Sequence, residues 1–110
     1  MSDPKYEARL IAGKIKPLFT QMNGDRYQLQ IVKDDQAHQF AFFFMRQPRR
    51  GSMLIKPIYQ IEDYNLEYLE AVLTELKQYY QFTNVYRGFI GDLWPSNGEP
   101  IQKKKAKDEM

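Results

Sequence analysis

The feature that most constrains this chain is an unbroken apolar run from Phe40 to Met45, in which four of the six residues are Phe. Side chains alternate between the two faces of an extended strand. Phe40, Phe42 and Phe44 would therefore lie on one face, and the equally apolar intervening residues and Met45 on the other. A single amphipathic helix covers only one face of a small sheet. The sequence therefore predicts that the N-terminal segment, the C-terminal segment, a second copy or a ligand covers the second face.

Three arrangements satisfy such a strand. It can be the central strand of a sheet that its own chain covers on both sides, since such strands read as continuous apolar runs. It can be the interface of a homodimer, with Phe40, Phe42 and Phe44 as the contacting residues. It can also be an exposed aromatic surface on which nucleic-acid bases stack.

Polar turns divide this region into three predicted strands. Residues 27–31 alternate between apolar and polar side chains, as a half-buried strand does. Residues 39–46 contain the Phe run, and residues 53–61 form a third strand, which Pro57 places at an edge. The turn at residues 48–51 combines Pro with Gly, which suits a tight reversal. Short turns between successive strands favour an antiparallel meander.

A long amphipathic helix is predicted over residues 64–80. Leu69, Val72, Leu73, Leu76 and Tyr80 fall on one face of a 3.6-residue period. A polar side chain immediately before this stripe would cap the helix at its start.

The first quarter of the chain supports two interpretations. The pair Asp3-Pro4 suits the start of a helix. Gly13 and Pro17 would interrupt that helix, and alternate apolar residues in the same segment fit a strand. We expect a fourth strand bent at Gly13, and the alternative is the order helix–three strands–helix.

The C-terminal part divides into an apolar segment and a polar tail. Residues 85–94 are too apolar for a free tail and are predicted to fold back as an aromatic hook anchored by Trp94. Residues 97–110 are rich in Lys and read as a flexible tail. The expected fold is therefore a single α+β domain over residues 1–96, with three or four antiparallel strands under one long helix.

The charge is unevenly distributed. The net charge of +2 comes from the last eight residues, so residues 1–102 are neutral, with 12 basic and 12 acidic side chains. Residues 44–57 nevertheless contain four basic side chains and no acid, and residues 62–75 contain five acids and no base. This pattern suits a basic surface for an anionic partner, or head-to-tail self-association.

Catalytic and metal-binding chemistry is poorly represented. The chain has no Cys, which excludes disulfides, a thiol nucleophile and thiolate metal sites. Its only imidazole, His38, follows a polar turn, and Asp34-Asp35 reads as turn chemistry rather than a cation site. We therefore expect no enzyme activity, no cofactor and no metal. Since no apolar run approaches membrane-spanning length, we also expect a cytoplasmic protein without a membrane partner.

The function expected from these features is binding. A basic hairpin with Arg46, Arg49, Arg50 and Lys56 could hold phosphates, with Tyr59 adding a stacking surface. That combination indicates a nucleic-acid-binding accessory protein, with single-stranded nucleic acid as the candidate partner. The alternative is a protein-interaction module, most simply a homodimer.

Overall fold

The computed structural model describes residues 3–19 and 26–101. Two helices and four strands follow one another in the order helix, three strands, helix, strand. Their bounds are α1 Pro4–Ile15, β1 Arg26–Asp34, β2 Gln39–Gln47, β3 Leu54–Ile61, α2 Leu66–Leu76 and β4 Thr83–Arg87. The fold is a small α+β domain, as expected, and it follows the order of the alternative interpretation with one further strand.

The four strands form one mixed sheet in the order β3-β2-β1-β4. The β1–β2 and β2–β3 pairs are antiparallel, and Leu29 lies opposite Phe44 in the first of them. β4 joins the other edge of β1 in parallel. The expected antiparallel meander is therefore corrected to a mixed sheet, because the chain crosses over through α2 before it adds the last strand.

The third strand lies at one edge of the sheet. The missing N–H of Pro57 therefore removes no hydrogen bond from the centre of the sheet. The register between β2 and β3 shifts between Phe42 and Phe43, so that Phe42 pairs with Tyr59 and Phe43 with Pro57. This shift is a β-bulge, and it leaves Ile58 as the extra residue.

The N-terminal segment is a helix and not the expected bent strand. The Asp3 side chain accepts the backbone N–H of Lys5 at 3.0 Å, and Pro4 occupies the first turn. Gly13 lies on the exposed side of α1. A glycine there lowers the intrinsic helix propensity of the segment but does not end the helix. Pro17 follows the last helical residue and therefore does not interrupt the helix.

The second helix is shorter than expected. Asn65 caps it by accepting the backbone N–H of Glu67 at 2.8 Å, and the helix ends at Leu76. The domain thus has two helices of 12 and 11 residues instead of one long helix. Among the described residues, neither helix has the length and apolar character needed to cross a membrane.

Both helices pack on the same face of the sheet. One core cluster contains the inner residues of α1 and α2 together with Leu29, Ile31 and the alternate residues of β2. Phe40, Phe42 and Phe44 are at most 3% exposed. These three rings, which the sequence analysis considered as a homodimer interface, are therefore core residues of the chain's own fold.

The opposite face of the sheet carries no helix from the described residues. The register places Gln28 opposite Met45, and Gln30 opposite Phe43, on this face. Phe43 is half-buried, while Met45 is covered by its neighbours to 8% exposure. β2 is thus a central strand with apolar side chains on both faces, and on the second face its neighbour β1 contributes polar side chains.

The aromatic hook is present and begins with β4. Phe89, Trp94 and Ile101 are buried, and the N–H of Ile101 donates to the carbonyl of Asp92 at 3.2 Å. The expected boundary after residue 96 therefore falls inside the packed C-terminal segment. The Lys-rich stretch at residues 103–107 lies outside the described residues.

Candidate functional site

A cluster of aromatic rings brings the ends of several elements together. Phe19, just after α1, packs edge-on against Tyr27 at the start of β1, with 4.7 Å between ring centroids. It also contacts Tyr80, after α2, at 5.6 Å and Phe82, before β4, at 5.3 Å. Phe82 in turn contacts Phe44 near the end of β2 at 5.7 Å. The C-terminal ends of both helices therefore lie at the end of the sheet from which the β2–β3 loop (residues 48–53) projects.

Eight basic residues belong to the segments that meet at this end of the molecule. Seven are exposed and Arg46 is half-buried. We call this set the basic end, and its members are Lys14, Lys16, Arg26, Arg46, Arg49, Arg50, Lys56 and Lys77. The stretches that meet here are residues 12–19, 26–28, 44–57 and 74–82, and the only acid within them is Glu75. The predicted basic residues of the β2–β3 hairpin are thus joined by four others that are distant in sequence.

Helix electrostatics explain part of the basic end. Lys14 lies in the last turn of α1, and Lys16 and Lys77 are the C-cap residues of α1 and α2. Cations are stabilising at helix C-termini because the last carbonyl groups carry partial negative charge. Arg49 and Arg50 lie on no helix; they are exposed in the β2–β3 loop and have no such local explanation.

Acidic residues collect at the opposite end, around the β1–β2 turn and the start of α2. They are Asp34, Asp35, Glu62, Asp63, Glu67 and Asp92. Lys33 lies among them, and its Nζ is 2.8 Å from Asp92 Oδ2 and 4.0 Å from Asp35 Oδ1. The charges of a nearly neutral domain are therefore separated along the sheet, which directs an anionic partner to the basic end.

The β1–β2 turn itself has a structural role. Oδ1 of Asp34 accepts the backbone N–H groups of Gln36 and Ala37, each at 3.1 Å, which confirms the turn interpretation. His38 has a positive φ of 51° and packs its ring edge-on against Tyr64 at 5.2 Å. No set of three His, Asp or Glu side chains within residues 3–19 and 26–101 is placed to hold a metal ion.

Tyr59 does not join the basic hairpin. It lies opposite Phe42, five residues beyond the start of β3, and packs partly buried against the core under α1. Burial, reinforced by the Glu7 carboxylate, raises the pKa of Tyr59 to about 12. The residue therefore links β3 to α1 and does not extend the surface of Arg49 and Arg50.

The end of the β2–β3 loop and the start of β3 expose three consecutive apolar side chains. Met53, Leu54 and Ile55 are 46%, 48% and 51% exposed. The sequence predicted a strand here, and the core covers β3 only farther along, at Ile58, Tyr59 and Ile61. This edge is an apolar surface beside the loop arginines.

A cleft of about 440 Å³ opens beside the basic end, between α2, β4 and the C-terminal segment. Lys77 and Tyr80 belong to its lining, as do Asn84, Tyr86 and Trp94 farther in. Sequence reasoning did not find this cleft, because its walls come from segments that only the parallel placement of β4 brings together. The only signal available was the aromatic density of residues 80–94, which was interpreted as a core anchor.

Polar groups in the cleft are held in place. Nδ2 of Asn84 donates to Oη of Tyr86 at 3.2 Å, and burial raises the pKa of Tyr86, against a smaller lowering by that hydrogen bond. At the rim, Glu70 of α2 accepts the backbone N–H of Ser96 at 3.1 Å and also bonds its hydroxyl group. These contacts fix the C-terminal segment against α2 and β4.

Comparison of the chain with family models, with curated proteins and with solved structures finds no match. Function is therefore argued from the side chains and their placement.

Proposed function

We propose that this protein is a non-enzymatic nucleic-acid-binding protein that contacts the phosphate backbone with its basic end. The observation that carries the proposal is the clustering of the eight cationic side chains of the basic end. Residues 12–19, 26–28, 44–57 and 74–82, which meet at this end, contain a single acid, Glu75. Phosphate contacts of this kind supply most of the sequence-independent affinity of nucleic-acid-binding proteins.

The loop arginines are suited to this role. A guanidinium group donates two parallel hydrogen bonds to a phosphate, and it remains charged at any physiological pH. Gly51 has a φ of +102°, which allows the chain to reverse and present Arg49 and Arg50 beyond the sheet. The neutral body limits long-range attraction, so binding depends on the local density of cations at this end.

Stacking on the sheet is not part of this proposal. Phe42 and Phe44 are buried under the helices, and Tyr59 packs partly buried against the same core. The expected affinity therefore comes from phosphate contacts and falls steeply with salt concentration.

A fluorescence-anisotropy titration with labelled single-stranded and duplex oligonucleotides, repeated over a range of salt concentrations, tests the proposal. The double variant Arg49→Ala/Arg50→Ala should bind more weakly. With a single-stranded oligonucleotide, the logarithm of the association constant falls with log[salt], and the steepness of this fall should decrease by about 1.4 in the double variant. Each lost phosphate contact accounts for about 0.7 of this decrease.

The matched control is Lys5→Ala/Arg87→Ala, which removes the same charge from residues outside the basic end. We expect this variant to retain most of the affinity and the full salt slope. Equal losses in the two variants, or binding that does not respond to salt, would contradict the proposal.

Self-association is a second candidate function, and the exposed side chains of Met53, Leu54 and Ile55 favour it. They lie at the start of β3 and on the loop residue before it, and β3 is an edge strand whose outer side can pair with the same strand of a second copy. Static light scattering at high protein concentration should then give a dimer mass, and Ile55→Glu should reduce it to a monomer. Ile90→Glu is the control, because Ile90 is fully exposed away from this edge. A monomer mass for the unmodified chain would exclude this candidate.

A further inference from the structure

We infer that the cleft between α2, β4 and the C-terminal segment is a binding site for a nucleobase. The inference deepens the proposed function. It rests on that function in one respect only, which is that the base belongs to a nucleic-acid strand and not to a free nucleotide.

The size and walls of the cleft suit a flat heterocycle. Its volume of about 440 Å³ lies within the range of small-molecule sites. Half-buried Tyr80 and Tyr86 contribute aromatic surface to the lining, and buried Trp94 supports the Tyr86 ring edge-on at 5.4 Å. Stacking of a base on such rings contributes affinity whichever base is bound, because every base has a π face.

The hydrogen-bonding groups in the cleft form a complementary pair. Nδ2 of Asn84 donates to Oη of Tyr86, so Oδ1 of Asn84 is left as an acceptor that receives no hydrogen bond from the described residues. Because Oη of Tyr86 accepts in this bond, its own proton is available to a ligand. An acceptor beside a donor matches the edge of a base, where ring N–H, carbonyl and amino groups alternate.

The charged groups of the cleft orient the rest of the ligand. Lys77 belongs to both the cleft lining and the basic end, so it places a cation where a phosphate attached to a bound base would emerge. Glu70 lies at the rim with its carboxylate held by Ser96, and it disfavours a phosphate on that side. A base in the cleft would thus direct its phosphate towards the basic end.

Trp94 is the only tryptophan of the chain, so its fluorescence reports on the cleft directly. The test is a titration with adenosine, uridine and their monophosphates, and separately with an unlabelled single-stranded oligonucleotide. We expect saturable changes in fluorescence with the nucleosides and tighter binding of the monophosphates. Lys77→Ala should weaken binding of the monophosphates and leave that of the nucleosides unchanged.

Two substitutions test the hydrogen-bonding pair. Tyr86→Phe removes only the hydroxyl group and should weaken nucleoside binding by about tenfold, the effect of losing one hydrogen bond of about 1.4 kcal/mol. Asn84→Leu should have at least the same effect, and a thermal melt of each variant establishes that it is folded. The control, Lys5→Ala/Arg87→Ala, lies outside both the cleft lining and the basic end and should bind nucleosides with unchanged affinity.

The outcomes separate this inference from the proposed function. If the oligonucleotide binds while nucleosides and monophosphates give no saturable change, or a change that Tyr86→Phe does not affect, the cleft is not a base site. If nucleosides bind and the oligonucleotide does not, the base site stands, its ligand is a free nucleotide, and the proposed function fails. If both bind and Tyr86→Phe also weakens oligonucleotide binding, the base comes from the strand.

Discussion

The placement of β4 beside β1 can be tested at a single glycine. Gly88 follows β4 with a φ of +84°, and a Cβ atom at this position would lie 2.8 Å from the carbonyl oxygen of Lys33 in β1. For Gly88→Ala, the positive φ costs about 1–2 kcal/mol. The overlap with a backbone oxygen that cannot rotate away costs about 1–3 kcal/mol more. We therefore expect the free energy of unfolding to fall by about 2–5 kcal/mol.

Two other glycines provide matched controls. Gly91 has a similar φ of +86° and open space around its Cα, so Gly91→Ala should cost only about 1–2 kcal/mol. Gly13 is helical with open space, so Gly13→Ala should stabilise the domain by about 0.5–1 kcal/mol. Urea unfolding curves of the three variants measure these differences through their midpoints. If Gly88→Ala lost no more stability than Gly91→Ala, β4 would not pack against β1 as described.

Two further predictions concern the core and its pH dependence. Phe42→Ala should lower the free energy of unfolding by about 3–5 kcal/mol, because the Phe42 ring is fully buried. Phe43→Ala should lower it by markedly less, because Phe43 is half-buried on the other face of the sheet. Equal losses in urea unfolding would contradict the assignment of the two faces. Tyr59 holds its proton more tightly in the folded protein, with a pKa of about 12 against 10.0 for an unperturbed tyrosine. Its contribution to the free energy of unfolding is therefore complete below pH 10.0 and is lost as the pH rises through about 12. Tyr59→Phe should therefore reduce the fall in the free energy of unfolding over that interval, and an unchanged fall would contradict the raised pKa that burial gives Tyr59.

Local sequence patterns were sufficient for much of the secondary structure. The three expected strands at residues 27–31, 39–46 and 53–61 correspond to β1, β2 and β3, because alternation and turn residues act over a few positions. The apolar stripe of α2 also identified the helix, although its last turn was misplaced.

The incorrect predictions have physical causes that extend beyond a few neighbouring residues. Gly13 and Pro17 were weighed as helix breakers, but one is exposed on α1 and the other follows its end, so the capping by Asp3 prevailed. β4 has only five residues, and its parallel pairing with β1 depends on the crossover through α2. Five residues hold too little pattern to specify that partner.

The candidate site was predictable only in part. The loop arginines were identified from the charge pattern, since Arg49 and Arg50 lie together beside Gly51 in sequence. Lys14 and Lys77 became part of the basic end only because both helices finish at the same end of the sheet. The position of Tyr59 could not be foreseen, because it packs against the core under α1, a helix that the sequence interpretation had drawn as a strand.

The measurement that tests the central claim most directly is an NMR titration of isotope-labelled protein with a short single-stranded oligonucleotide. The account predicts amide shift changes at Arg26, in the β2–β3 loop and around Lys16 and Lys77, and these changes should disappear as salt is added. No shift changes at low salt, or changes confined to the acidic β1–β2 turn, would contradict it.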